Sequence, residues 1–445
     1  MTMIWSEYIE RKLSELNIGH YEIYFSEVVS TTIEVKDQQI DCFTSAQRKG
    51  LSLRVLQDDR LGFSYCTDLS DTSLDHVITN AVTSAKNTSP EEYHGFPDIS
   101  SEQLPATEVF DNSLSLIPKD EKINKVKGLE KAARSYDKRI TKVRKAAYQE
   151  IKAKEYLINS NGLSLSHRGT FFSYYIELVA EEKGDSQMGW DFDFSRFYKD
   201  LDVPKIGKAA SSKALNLLGA KSIPSFRGPV IFDNSVSCQF LGVLAPSFLA
   251  ESVQKNKSML KGRKNNKVFS DCIDVIDDGI YPGGAATKPF DGEGVTRRTT
   301  SLIKNGVLEN FLYDTYCARK DKTYSTGNSS RGSIKTPPRV GKTNLYIKKG
   351  KESFDDLTSE MDKGLLVNEV MGMHTADPIS GDFSVGVNGF LLEKGKKQIP
   401  VKGIAISGNI MTLFSRVIGV GSDLRFFDST GAPSLLIEEM DISGN

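Results

Sequence analysis

A chain of 445 residues with 57 Lys and Arg against 58 Asp and Glu, a net charge of -1 and 39% hydrophobic content is long enough for two to four packed domains, at about 100–200 residues each. That balance excludes general disorder. It also gives no overall attraction to polyanions, and no dense Lys/Arg run with interleaved aromatics occurs, so direct nucleic-acid binding is not expected.

From the N-terminus, Glu7, Glu10, Arg11 and Lys12 interrupt any apolar core of an export signal. Nowhere do about 18 apolar residues run consecutively, so no membrane span is expected and the expected location is the cytoplasm. The first segment, residues 1–87, opens with a short amphipathic helix carrying Ile9, Leu13 and Leu16. Strands follow, from the alternation of Tyr21, Ile23 and Phe25, of Ile33 and Val35, and of Leu51, Leu53 and Val55 before an Asp58-Asp59 turn and Gly62-Phe63-Ser64-Tyr65. Leu74, Val77, Ile78, Ala81, Val82 and Ala85 then share a helical face, with Asp71 placed to cap it.

Residues 88–118 hold four prolines and no period, which predicts a linker. The second segment, 119–225, starts with a helix striped by Ile123, Val126, Leu129, Ala133 and Tyr136. Strands around Val143–Tyr148 and Tyr156–Ile158, an Asn161-Gly162 hairpin turn and the alternating run Phe171–Leu178 come next. A helix with Ile206, Ala209, Ala210, Ala214 and Leu217 ends it. From 226 to 445 short apolar runs alternate with Gly/Asp/Asn turns, predicting a β-rich domain with one helix between Ser235 and Lys255. The expected fold class is α+β: two N-terminal α/β segments with antiparallel sheets and packed helices, then a β-rich C-terminal domain.

The chemistry-bearing residues are few. Of His20, His76, His94, His167 and His374, none is followed by glutamate, so a zinc motif of two histidines one turn apart with an activating glutamate cannot form. His76 and His94 are expected at the surface, and His20 and His167 in structural roles beside strands. His374 stands in a glycine-rich polar loop, where sites commonly lie. Cys42, Cys66, Cys238, Cys272 and Cys317 are odd in number and lack a C-x-x-C pair, so reduced thiols are expected. Asp277, Asp278, Asp291 and Glu293 could ligate a hard cation, but their glycine neighbours favour turns.

Ordered short motifs then accumulate. They include Asp277-Asp278-Gly279 with Pro282-Gly283-Gly284, Phe290-Asp291-Gly292-Glu293-Gly294-Val295-Thr296-Arg297-Arg298, Ser325-Thr326-Gly327-Asn328, Thr343-Asn344-Leu345-Tyr346, Ser380-Gly381-Asp382-Phe383-Ser384 and Asp423-Leu424-Arg425-Phe426. In this order they resemble the TldD/PmbA family, and Arg48–Val55 and Gly62–Tyr65 fit as well, so the resemblance spans nearly the whole chain. The resemblance implies a cytoplasmic zinc metallopeptidase of two paralogous subunits that degrades unstructured peptides. TldD carries H-E-x-x-x-H on a helix and a C-terminal cysteine; TldE, also called PmbA, lacks them. Here the equivalent helix, Phe240–Glu251, has no histidine, and Gly431–Ile437 has no cysteine. The resemblance therefore implies a TldE/PmbA-type non-catalytic subunit with no cofactor of its own and zinc in a TldD-like partner. It also implies unfolded peptide substrates, with a homodimer as a further possibility. By the same analogy Asp291, Glu293, Asn328, Asn344 and His374 are the candidate peptide- or partner-binding residues. The alternatives are a stand-alone peptide-binding or chaperone-like module and a metal-independent cysteine hydrolase. The family's older label, modulator of DNA gyrase, finds no support in the charge pattern for direct DNA contact.

Overall fold

The computed structural model describes residues 4–98, 103–359 and 361–444. Met1–Met3, residues 99–102 within the expected linker, Glu360 and Asn445 lie outside the described residues. A helix α1 (Ile4–Glu15) leads into strands β1 (His20–Lys36), β2 (Gln39–Gln57) and β3 (Arg60–Cys66), followed by α2 (Asp71–Asn87). The second segment contributes α3 (Lys119–Arg134), β4 (Ile140–Asn159), β5 (Ser164–Glu182), β6 (Asp185–Ser195) and α4 (Val203–Asn216).

The two segments share one sheet. β1 pairs with β2 along one edge and with β4 along the other, Glu22 opposite Asn159 through to Val35 opposite Ala146. The result is a six-stranded antiparallel sheet in the order β3-β2-β1-β4-β5-β6. β4 is a single strand where local alternation suggests two short ones, because pairing on both edges carries the ladder through the polar stretch Gln149–Glu155.

Successive strand side chains point to opposite faces. One face places Ile23, Phe25, Leu51, Leu53 and Val55 under α1 and α2. Farther along, the same face places Ile33, Tyr148, Phe172, Tyr174 and Ile176 under α3 and α4. Each such side chain contributes roughly 1.5–3 kcal/mol by leaving water. The other face carries Glu22, Tyr24, Arg54, Glu155 and Leu157 and is covered by the C-terminal part of the chain.

Element ends depart from the periodic patterns by a turn. α1 stops at Glu15, and Leu16 is exposed because it lies past the buried Ile9 and Leu13. Ser70, not Asp71, occupies the N-cap of α2, and Tyr136 lies beyond the end of α3. The described part of 88–118 is strapped to the first sheet. Asn159 donates to the Pro97 carbonyl, the Thr170 amide donates to the Val109 carbonyl, and Phe96 and Val109 are buried.

The C-terminal part begins with β7 (Phe226–Phe232) and α5 (Asn234–Leu244). Strands Lys396–Asn409, Asp382–Glu393, Lys363–Met371, β7 and Leu435–Ser443 lie side by side, and the last pairs back onto the first through Ala405–Ser443 and Ile406–Ile442. The ring closes into a small barrel, with strand Val417–Val420 paired onto Leu435–Ser443 at its rim. A second sheet runs through Thr299–Lys304, Val275–Asp278, Asn344–Ile347 and Thr430–Ala432. The one helix expected between Ser235 and Lys255 is broken into α5, a 3-10 turn at Ala245–Phe248 and a short helix Ala250–Gln254. Pro246 cannot supply the amide that a continuing α-helix needs. Among the described residues no helix is long and apolar enough to cross a membrane.

Candidate functional site

The glycine-rich motifs of the C-terminal domain converge on a buried polar frame. Asp277, 1% exposed, accepts hydrogen bonds from Asn328 Nδ2 at 2.7 Å, from Thr343 Oγ1 at 2.6 Å and from the Thr343 amide at 2.7 Å. Asn344 donates to the Asp278 carbonyl and to Thr287 Oγ1 and accepts from the Ala286 amide. Asp291 accepts from the amides of Glu293, Val295 and Ser329. Burial, with the Glu293 charge beside it, pushes the Asp291 carboxyl up to about 7. The turn closes on Gly294 at φ +90°, where a Cβ would sit 2.7 Å from Leu163 of the first sheet. Only glycine allows both that backbone and that approach.

Glu293 carries the frame across to the first sheet. Its carboxylate accepts from Arg54 at 3.3 Å and from the Thr315 amide at 3.1 Å, and Arg54 also donates to Glu22 at 2.9 and 2.6 Å. Arg331 bonds the same Glu22 and lies over the Tyr24 ring. Burial opposes the Glu22 charge, but Arg331 and Arg54 outweigh it and hold the carboxyl below its usual value.

Of the expected binding residues, Asp291, Glu293, Asn328 and Asn344 thus come together, each at most 4% exposed, with their hydrogen-bonding capacity turned to the chain itself. His374 is not among them. It sits exposed on the 3-10 turn Met373–Thr375 and makes no hydrogen bond or ion pair among the described residues. His94, expected at the surface, is half-buried with its ring 5.2 Å from Tyr316.

His167 lies against Phe290, near the Lys288–Glu155 ion pair at 2.7 Å. Burial and the Lys288 charge lower its pKa to about 4, against the opposing pull of Glu155. The unfolded imidazole takes a proton near pH 6.5. The folded state binds that proton less readily, so this stabilising contribution is complete above about 6.5 and is lost as pH falls toward about 4. His167→Gln should flatten the fall in melting temperature across that window. An unchanged pH profile in the variant would show that His167 does not titrate with folding.

At the seam between the first sheet and the barrel lies a cavity of about 480 Å³. Asp233 caps α5, accepting from the Val236 amide at 2.9 Å, which fixes the helix start against β7. Asn368 is the extra residue of a bulge in strand Lys363–Met371 and donates to Asp233 at 3.2 Å. β6 supplies Trp190, α4 supplies Lys213, and strands farther along supply Glu369, Phe390 and Lys397. None of these was visible as a site in the sequence. They come from six elements, and only the capping position of Asp233 before an apolar helical run leaves a local signal.

Downstream of this cap, α5 and the following turn bury Phe240, Leu241, Leu244, Ala245 and Phe248 in the main core. Among the described residues no group of three or more His, Cys, Asp or Glu side chains is arranged to hold a metal ion. All five cysteines are free. Burial pushes the Cys238 thiol up to about 12, and burial with the neighbouring Asp314 carboxylate raises Cys317 too, so both stay protonated at neutral pH.

Residues 21–85, 112–218 and 225–444 match three family models, described as PmbA/TldA metallopeptidase domain 1, central domain and C-terminal domain. A Metalloprotease PmbA homolog of Buchnera aphidicola is 28% identical over 440 residues, covering 98% of this chain and 95% of that protein. A Metalloprotease TldD homolog of Haemophilus influenzae is 24% identical over 472 residues, covering 97% and 94%. Two crystal structures share the fold over their full length. One is a Thermotoga maritima protein described as a modulator of a DNA gyrase, with TM-score 0.90, 28% identity and 99% of this chain covered. The other is TldE from Thermococcus kodakarensis, with TM-score 0.88, 25% identity and 98% covered.

Proposed function

The chain belongs to the PmbA/TldD family of metallopeptidase-related proteins, and from that premise we propose that it is the supporting, TldE/PmbA-type subunit of a two-subunit peptidase acting on unstructured peptides. The catalytic zinc then belongs to a TldD-like paralogue. The observation that carries this is the make-up of the α5 region. Between Phe240 and Glu251 the only side chain with metal-ligand chemistry is Glu251, and Phe240, Leu241, Leu244 and Phe248 are spent on the core. Residues of this kind do not fit a metal ion, which needs several deprotonated donors converging with their own hydrogen-bonded supports.

A likeness to both a TldD homolog and a TldE structure supports the pairing, since the two subunits are paralogues built on one plan. In this scheme the buried frame of Asp291, Glu293, Asn328 and Asn344 fixes the C-terminal domain against the first sheet. The exposed His374 is assigned to the partner or peptide face. A cysteine hydrolase using Cys238, Cys272 or Cys317 is disfavoured, because burial raises all three thiols and so works against a thiolate.

Cleavage of an unstructured peptide should be measured with this chain alone, with a TldD-like paralogue alone and with the two co-purified, each with and without a zinc chelator. The expected result is chelator-sensitive cleavage by the mixture only. Equal, chelator-resistant cleavage by this chain alone would overturn the proposal.

A further inference from the structure

The cavity at the seam is lined by more polar groups than the fold uses. Capping of α5 consumes Asp233 Oδ1, which accepts from Val236 and Ser235. Among the described residues Asp233 Oδ2 has a single donor, Asn368 Nδ2, although a carboxylate oxygen can accept more than one. Asn368 Oδ1 is buried without any donor among the described residues, and so is Asn388 Oδ1, on the residue paired with Glu369 across the bulge. The Glu369 carboxylate accepts one hydrogen bond among the described residues, from Asn388 Nδ2 at 2.7 Å. Buried acceptors left open cost about 1–3 kcal/mol each, and Asn368, like Asp233 and Glu369, lines the cavity.

The lining also carries cations. Lys213 is tied back to Asp191 at 3.1 Å and lies over Trp190. Lys397 lies over the Phe390 ring at 5.0 Å and has no ion-pair partner among the described residues. Trp190, Phe390 and Phe427 line it as well. Open acceptors, an ammonium without an ion-pair partner among the described residues and aromatic rings in one cavity ask for a ligand that has all three complements.

We propose that this cavity binds a small zwitterion with an apolar side chain, a free amino acid or a peptide of two or three residues. Its ammonium meets Asp233, Asn368 and Glu369, its carboxylate meets Lys397, and its side chain rests on Trp190 and Phe390. The volume of about 480 Å³ lies within the roughly 300–1,000 Å³ of small-ligand pockets, which favour domain seams such as this one. The proposal rests on the peptide part of the function above and extends it: the seam holds the short products or ends of peptides, away from any catalytic centre.

The chain contains two tryptophans, Trp5 and Trp190. In a Trp5→Phe variant, Trp190 emission therefore reports the cavity alone. That variant is titrated with leucine, with Leu-Leu, with N-acetyl-Leu-Leu and with Leu-Leu amide, and calorimetry on the unmodified chain repeats the series. Saturable binding of leucine or Leu-Leu is expected, and which of the two binds more tightly identifies the source. Masking either charge should weaken binding at least about tenfold, the value of one charge-assisted hydrogen bond. Lys397→Met should erase the difference between the free carboxylate and the amide, and Glu369→Gln should reduce that between the free and acetylated amine. Equal binding of masked and unmasked forms, or no binding in both assays, would overturn the proposal. Both assays use this chain without a partner, so their failure leaves the chelator experiment standing, and the converse holds.

Discussion

Replacing Arg54 with alanine should lower the unfolding free energy by about 3–5 kcal/mol, the loss seen when one partner of a buried ion pair is removed. Arg54 is 5% exposed and is the only cation bonded to Glu293 among the described residues, while it shares Glu22 with Arg331. Its removal leaves Glu293 with the Thr315 amide alone. The measurement is urea unfolding, read as a lower midpoint at constant slope. A loss under about 1 kcal/mol is what an exposed pair shows, and would mean that water reaches this network. The pH dependence has a definite sign. The Glu22 carboxyl is held below its unfolded value by Arg331 and Arg54, so its contribution is complete above that unfolded value and is lost as pH falls through the folded one. Arg54→Ala should diminish that acid-side loss, because one of the two cations responsible is gone.

The second large effect is expected at Phe240→Ala, again about 3–5 kcal/mol. Phe240 is fully buried, stacked on Phe232 at 4.8 Å and set edge-on to Phe383 at 4.9 Å. It joins α5 to both β7 and strand Asp382–Glu393, so truncation opens a cavity that the closed barrel cannot collapse to fill. Phe240→Leu should cost much less, since most of the volume remains. Thermal and urea unfolding of the pair of variants check this. If alanine costs no more than about 1 kcal/mol, α5 is a peripheral element and its apolar make-up needs a reason other than packing.

Much of the fold follows from local pattern. Ile23 and Phe25, Leu51, Leu53 and Val55, and the stripes of α2 and α3, face the core as their period of two or 3.6 predicts. The β-rich C-terminal texture is borne out by the barrel and its companion sheet. Where the pattern misled, a tertiary contact intervened: β4 runs unbroken because β1 and β5 pair with it on both edges, and the 235–255 helix breaks at Pro246. Asp291, Glu293, Asn328 and Asn344 could be singled out from their motifs, but not the direction of their hydrogen bonds.

The sequence by itself determined the family, the α+β class, the periodic faces of the main elements and the absence of a histidine pair at helical spacing. These depend on residues a few positions apart, whose geometry the backbone fixes locally. Only the tertiary structure decided that one sheet serves both N-terminal segments, that Arg54 meets Glu293 across 239 positions and Arg331 meets Glu22 across 309, and that helices and strands from the second segment and the C-terminal part together enclose the seam cavity. Such meetings depend on how whole layers pack, and no short-range period in the chain encodes which distant side chains a shared face will bring together.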